Sequence, residues 1–145
     1  SVDSRYQLPR FSGVTAATPN EAELAQLTGM AADDERGIEK AGRQLLERLD
    51  ARMLLVTRGS QGIALLERDG ATTFLRIHGT DEIADVSGAG DTVISAFTLA
   101  LACRASPTEA ASLANVAGGL VVMKRGTATV SRAELLQALG PSGSR

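Results

Sequence analysis

Met53-Leu54-Leu55-Val56 is the segment that most restricts the fold, because four consecutive apolar residues closed by Thr57 leave no polar face to turn toward water. Such a run suits a strand covered on both faces, the usual state inside a parallel sheet flanked by helices. The neighbouring segments supply the cover. Ile38, Ala41, Leu45, Leu46 and Leu49 recur near the helical period behind the acidic run Asp33-Asp34-Glu35, with Arg43 and Arg48 opposite, and predict an amphipathic helix over residues 34–50. After the apolar run, Ile63 to Glu67 and Thr72 to Ile77 predict two strands joined by Arg68-Asp69-Gly70 as a hairpin. Strands alternating with helices imply an α/β fold with a parallel or mixed sheet, expected to be mostly parallel with a hairpin.

The remaining segments extend this pattern. Val14 to Ala17 is β-compatible and stops at Thr18-Pro19-Asn20, since proline forces extended backbone before it. Asn20 is a helix N-cap, Glu21 and Glu23 favour a first turn, and Gly29 closes a short helix containing Leu24 and Leu27. Beyond Asp91 the pattern is helical: Val93, Ile94, Phe97 and Leu101 form one stripe. Pro107 restarts a helix carrying Ala110, Leu113, Ala117 and Leu120, antiparallel to the first. In that second helix Ala114, Ala117, Gly118 and Gly119 leave a face almost without side-chain volume, open to close approach by a neighbour or a flat ligand. Ser131 caps a last helix to Leu139 with Glu134 at the capping-box position, and residues 141–145 read as a disordered tail.

Composition removes several function classes. The chain has 145 residues, enough for one core, with 43% hydrophobic and 22% charged side chains, as in a globular protein. Fifteen Lys and Arg against 17 Asp and Glu give a net charge of -2, which provides no basic field for nucleic acid. One Cys and one His, Cys103 and His78, supply neither an internal disulfide nor a Cys/His zinc cage; Cys103 reads as packing and His78 as a loop residue. No apolar run approaches the roughly 20 residues of a membrane span, and the first residues are too polar for a signal peptide. The cytoplasm is the expected address. Aromatic residues make up only 3% while glycine counts 15, so chemistry is to be sought where backbone approaches a ligand.

Asp85-Val86-Ser87-Gly88-Ala89-Gly90-Asp91-Thr92 is a turn of small residues leading into a helix. It aims unpaired N–H groups and the positive helix end at one point, where an oxyanion or phosphate would sit. Asp91 beside such a cradle suits a base that accepts a hydroxyl proton, or equally a residue that only caps the helix. Lysine is missing after Gly62, where a Walker A loop needs it, and Val93 replaces the third glycine of a dinucleotide fingerprint. Ser87 is no nucleophile elbow, since Asp85 stands in place of the first glycine. Thr57-Arg58-Gly59-Ser60-Gln61-Gly62 lies at a strand end, where open α/β sheets bind ligands, or is simply a turn. Asn20 and Glu23 follow another strand, as a water-mediated Mg2+ site or as an ordinary helix cap.

On Asn20 with Glu23, on Thr57, Gly59 and Gly62, and above all on Asp85 to Thr92, the chain resembles the C-terminal half of the ribokinase-like, PfkB-type carbohydrate kinases. The resemblance runs over about residues 3–139 and implies half of a three-layer α/β/α kinase domain at 1–140. It further implies Asp91 as catalytic base and Gly88, Ala89 and Gly90 as the anion hole for the transferred phosphoryl group. Asn20 and Glu23 would organise Mg2+ and phosphate, Thr57, Gly59 and Gly62 would line the ATP site, and Asn115 would flank the adenine. A monovalent cation such as K+ would fall to Asp85 and Ser87 with carbonyls near Arg125. Leu113 to Val122 and Gly126 to Ser131 look most like the kinase part of heptose 7-phosphate kinases, which act on the route to ADP-heptose, with ribokinase or fructokinase second. A sugar phosphate is then the expected substrate. The sugar-recognition region of the family's N-terminal half has no match here, so the chain reads as truncated, inactive alone, and in need of that half as partner. An open edge strand of buried type would also invite a second copy, as a homodimer. The alternatives are a nucleotide-binding module without catalysis, or an α/β scaffold whose oxyanion pocket serves another use.

Overall fold

The computed structural model describes residues 7–77, 88–124 and 129–140. They fall into two compact units, one drawn from residues 1–59 and 63–75, the other from 60–62 and 76–145.

In the first unit, a short 3-10 turn at Leu8–Arg10 precedes β1 (Ala16–Ala17), α1 (Glu21–Thr28), α2 (Glu35–Leu49), β2 (Met53–Thr57), β3 (Ile63–Glu67) and β4 (Thr72–Leu75). The sheet order is β1-β2-β3-β4. β1 runs parallel to β2, with Ala16 opposite Met53, whereas β2–β3 and β3–β4 are antiparallel. The sheet is therefore mixed, one of the two expected arrangements, with β1 and β2 as its parallel pair and the hairpin supplying the antiparallel strands. An apolar run encodes burial on both faces, which β2 has, and carries no information about the direction of its neighbours. The hairpin at Arg68-Asp69-Gly70 forms as expected between β3 and β4.

α2 lies where its periodicity puts it, with Asp34 accepting from the Gly37 amide and Asp50 closing it in left-handed backbone. Ile38, Ala41, Leu45, Leu46 and Leu49 join Leu24, Leu54, Val56 and Leu66 in one core cluster. Gly42 is needed there, because a Cβ would stand 2.4 Å from a methyl of Leu66. Arg43 ties the helix to the hairpin, its guanidinium donating to the carbonyls of Glu67 and, at 2.7 Å, Gly70.

The second unit contains α3 (Ala89–Ala102), α4 (Pro107–Val122) and α5 (Arg132–Leu139). α3 and α4 are joined by four residues and pack closely through the small side chains of α4. A Cβ on Gly118 would meet Val93 of α3 at 2.7 Å, so the face without volume admits a neighbouring helix. Cys103, expected to pack, is instead exposed at the end of α3. α5 starts at Ser131 with the expected capping box from Glu134. Glu134 also meets Lys124 Nζ at 2.6 Å, and this contact, with the Ser131 amide and hydroxyl, lowers its carboxyl from 4.5 to about 2. No helix among the described residues is long and apolar enough to cross a membrane.

Candidate active site

Two sets of expected residues are built very differently, one in each unit. In the first, Pro19 ends β1 and turns the chain into α1, while Thr57 ends the parallel neighbour β2. The Thr57 amide donates to the Pro19 carbonyl at 3.0 Å, and Asn20 pairs with Thr57 as a single parallel bridge. The carboxyl ends of the two strands thus bring Asn20, Glu23 and Thr57 together, with Gly59 two residues further on. Open α/β sheets place ligands at such ends.

Asn20 and Glu23 lock each other. Asn20 Oδ1 accepts from the Glu23 amide at 2.8 Å, and Glu23 Oε2 accepts from the Asn20 amide at 3.0 Å. This reciprocal capping box satisfies two amides at the start of α1 and fixes both side chains. Gly59 and Gly62 bracket the 3-10 turn that follows β2, with φ of 53° and 90°, the left-handed region that glycine enters without strain. Gly59 is exposed and Gly62 buried.

The signature region in the second unit is described from Gly88 onward. Gly88 has φ 77° and caps α3 without any side-chain hydrogen bond. Among the described residues nothing lies within 4 Å of a Cβ built on Gly88 or Gly90. The amides of the first helical turn have no carbonyl within the helix to bond. Asp91 stands exposed in that turn, where the helix end favours its negative charge. Two hydroxyls brace the turn: Thr92 Oγ1 donates to the Gly88 carbonyl at 3.0 Å, and Ser95 Oγ to the Asp91 carbonyl at 2.7 Å. A helix start with unbonded amides beside an exposed carboxylate is an arrangement able to meet an oxyanion and to receive a proton.

Asn115 is buried in α4, and its amide nitrogen donates to the Arg76 carbonyl. Asp85, Ser87 and Arg125, expected to hold a monovalent cation, lie outside the described residues, as does His78. No group of three His, Cys, Asp or Glu among the described residues could hold a metal ion directly.

Sequence reasoning did not find Arg58 as a structural residue. Its side chain is buried, with Nε 3.1 Å from Glu21 Oε1 and the guanidinium 5.2 Å from the centroid of the Phe74 ring. An arginine directly after an apolar strand was a readable signal, because a charge at that place needs a partner.

The model of the pfkB family of carbohydrate kinases matches residues 3–134. The chain belongs to that family. Among curated proteins it is 48% identical over 130 residues to the bifunctional protein HldE of Methylococcus capsulatus, covering 90% of this chain and 27% of that relative. HldE of Geobacter metallireducens is 43% identical over 135 residues, covering 90% of this chain and 26% of the relative. This pfkB-family chain thus spans about a quarter of the curated relatives it matches. Among solved structures, Arabidopsis thaliana ribokinase complexed with ribose and ATP superposes with a TM-score of 0.82 at 28% identity, over 97% of this chain and 45% of that one. Escherichia coli phosphofructokinase-2 shares the fold, with a TM-score of 0.78 at 23% identity over 88% of this chain and 41% of that one. The fold is ribokinase-like.

Proposed function

We propose that this segment is the nucleotide-binding and catalytic half of an ATP-dependent kinase that phosphorylates a hydroxyl of a sugar phosphate, with heptose 7-phosphate as substrate. The observation that carries the reading is the start of α3, where a glycine cap without a side chain and an exposed Asp91 stand in a family of carbohydrate kinases. In this reading the amides of Gly88, Ala89 and Gly90 hold the transferring phosphoryl group, whose charge builds where they point. Asp91 accepts the proton of the attacking hydroxyl. Asn20, Glu23, Thr57 and Gly59 bind and orient the phosphates of ATP, and Asn115 belongs to the adenine side.

Glu23 and Asn20 would hold Mg2+ through water, and when bound with ATP the ion supplies charge neutralisation on the nucleotide phosphates. A monovalent cation at Asp85, Ser87 and the carbonyls near Arg125 is part of the same reading. The sugar pocket is assigned to polypeptide outside these residues, which accords with the 45% of the ribokinase chain that is covered. Without that pocket the base has no positioned hydroxyl and loses a proximity advantage of roughly 7–11 kcal/mol. The segment alone is expected to bind ATP and to transfer phosphate poorly. The heptose assignment is supported by the HldE relatives at 43–48% identity.

The test is Asp91→Asn in the full-length enzyme. Turnover with heptose 7-phosphate is expected to fall at least about a hundredfold while ATP affinity holds, as for loss of a general base. Near-normal turnover would remove Asp91 from the role.

A further inference from the structure

Arg58 stands between Thr57 and Gly59, yet its side chain is only 6% exposed and is turned into the protein. A guanidinium taken out of water is costly unless its charge is met. Here Nε lies 3.1 Å from Glu21 Oε1 and Nη1 lies 4.0 Å from Glu35 Oε1, while the group rests over Phe74. Glu21 is the first residue of α1, next to Asn20 and two before Glu23. The ion pair therefore crosses between the same two strand ends that the Thr57 amide and Pro19 carbonyl join in the backbone. One cation thus binds the end of β2, the start of α1, the start of α2 and strand β4 into one arrangement.

We infer that Arg58 and Glu21 form a positioning pair that fixes Asn20 and Glu23 against Thr57, and so sets the affinity for nucleotide phosphates rather than the rate of transfer. This rests on the kinase reading above. Neither side chain needs to touch the ligand: the pair acts through the residues beside it. Lysine is a poor substitute at position 58, because it lacks both the Nε–H directed at Glu21 and the flat group that stacks on Phe74.

The experiment compares Glu21→Gln and Arg58→Lys with Arg68→Gln in the full-length enzyme. Arg68, in the β3–β4 turn, pairs with Asp50 at the end of α2 at 2.7 Å and serves as the control for a structural ion pair in the same unit. The readouts are kcat and KM for ATP at saturating heptose 7-phosphate, together with hydrogen exchange at the Glu23 and Thr57 amides. Glu21→Gln is expected to raise the ATP KM about tenfold with kcat within about twofold, the signature of lost binding rather than lost transition-state contact. It should also speed exchange at both amides by about tenfold, with Arg58→Lys intermediate and Arg68→Gln unchanged in ATP KM. An unaltered ATP KM, an equal rise in Arg68→Gln, or unaltered exchange overturns the inference. If the wild-type enzyme neither binds nor uses ATP, the kinase reading fails, and exchange alone decides the pair: faster in both variants supports it, unaltered rejects it.

Discussion

The starts of α1 and α3 are both expected phosphate sites, and they are built in opposite ways. At α1 the polar side chains of the first turn are held: Asn20 and Glu23 cap each other, and Glu21 meets Arg58. At α3 the cap is Gly88, with no side chain to offer. Among the described helices, α1, α4 and α5 carry reciprocal capping boxes and α2 is capped by Asp34, whereas no side chain makes that bond at the start of α3. The contrast separates two jobs. A site that orients a ligand gains from side chains locked in advance, whereas a site that meets developing charge gains from bare amides with room before them.

Breaking each end should therefore give different signatures. The largest effect belongs to Asp91→Asn, at least about a hundredfold in turnover, with little change in the thermal midpoint because the side chain is exposed. Gly118→Ala comes next and acts on the support of α3. Its Cβ would press on Val93 at 2.7 Å, and overpacking of this kind costs about 1–3 kcal/mol, read as a lower midpoint in denaturant. Asn20→Ala removes the cap of α1 and is expected to cost about 1 kcal/mol of stability along with ATP affinity. A loss of affinity without loss of stability would show that the capping box is incidental.

The smallest effect is in acid. Glu134 titrates near 2 in the folded protein because Lys124 and Ser131 hold its anion, against 4.5 unperturbed. A depressed carboxylate contributes fully above 4.5 and loses that contribution as pH falls toward 2, so α5 should loosen within that window. Carboxyl titration by NMR checks it: Lys124→Met should bring the Glu134 midpoint back toward 4.5.

Local devices were legible in the sequence. The α1 cap and its closing Gly29, the span of α2, the hairpin at Gly70 and the Ser131–Glu134 box all follow from short-range chemistry. What escaped depends on partners distant in the chain. The antiparallel pairing of β2 with β3 cannot be told from parallel pairing by an apolar run. Arg58 meets Glu21, Glu35 and Phe74 across 37, 23 and 16 residues, which no periodicity registers. The small face of α4 was legible as a close approach, but Val93 as its occupant was not. Gly59, Gly62 and Gly88 all take positive φ, a backbone demand that glycine meets without strain and that makes a turn glycine readable in a sequence.

The most direct test of the α3 start is Gly90→Ala in the full-length enzyme, measured for thermal midpoint and turnover together. Position 90 lies in α3 with nothing among the described residues within 4 Å of the added Cβ, so the free protein should gain stability, by roughly 0.5 kcal/mol. If the space at position 90 belongs to the transferring phosphoryl group, the same methyl should lower turnover at least about tenfold, equal to about 1.4 kcal/mol of lost transition-state stabilisation. A higher midpoint with lower turnover is the predicted result; a higher midpoint with full turnover would contradict the account.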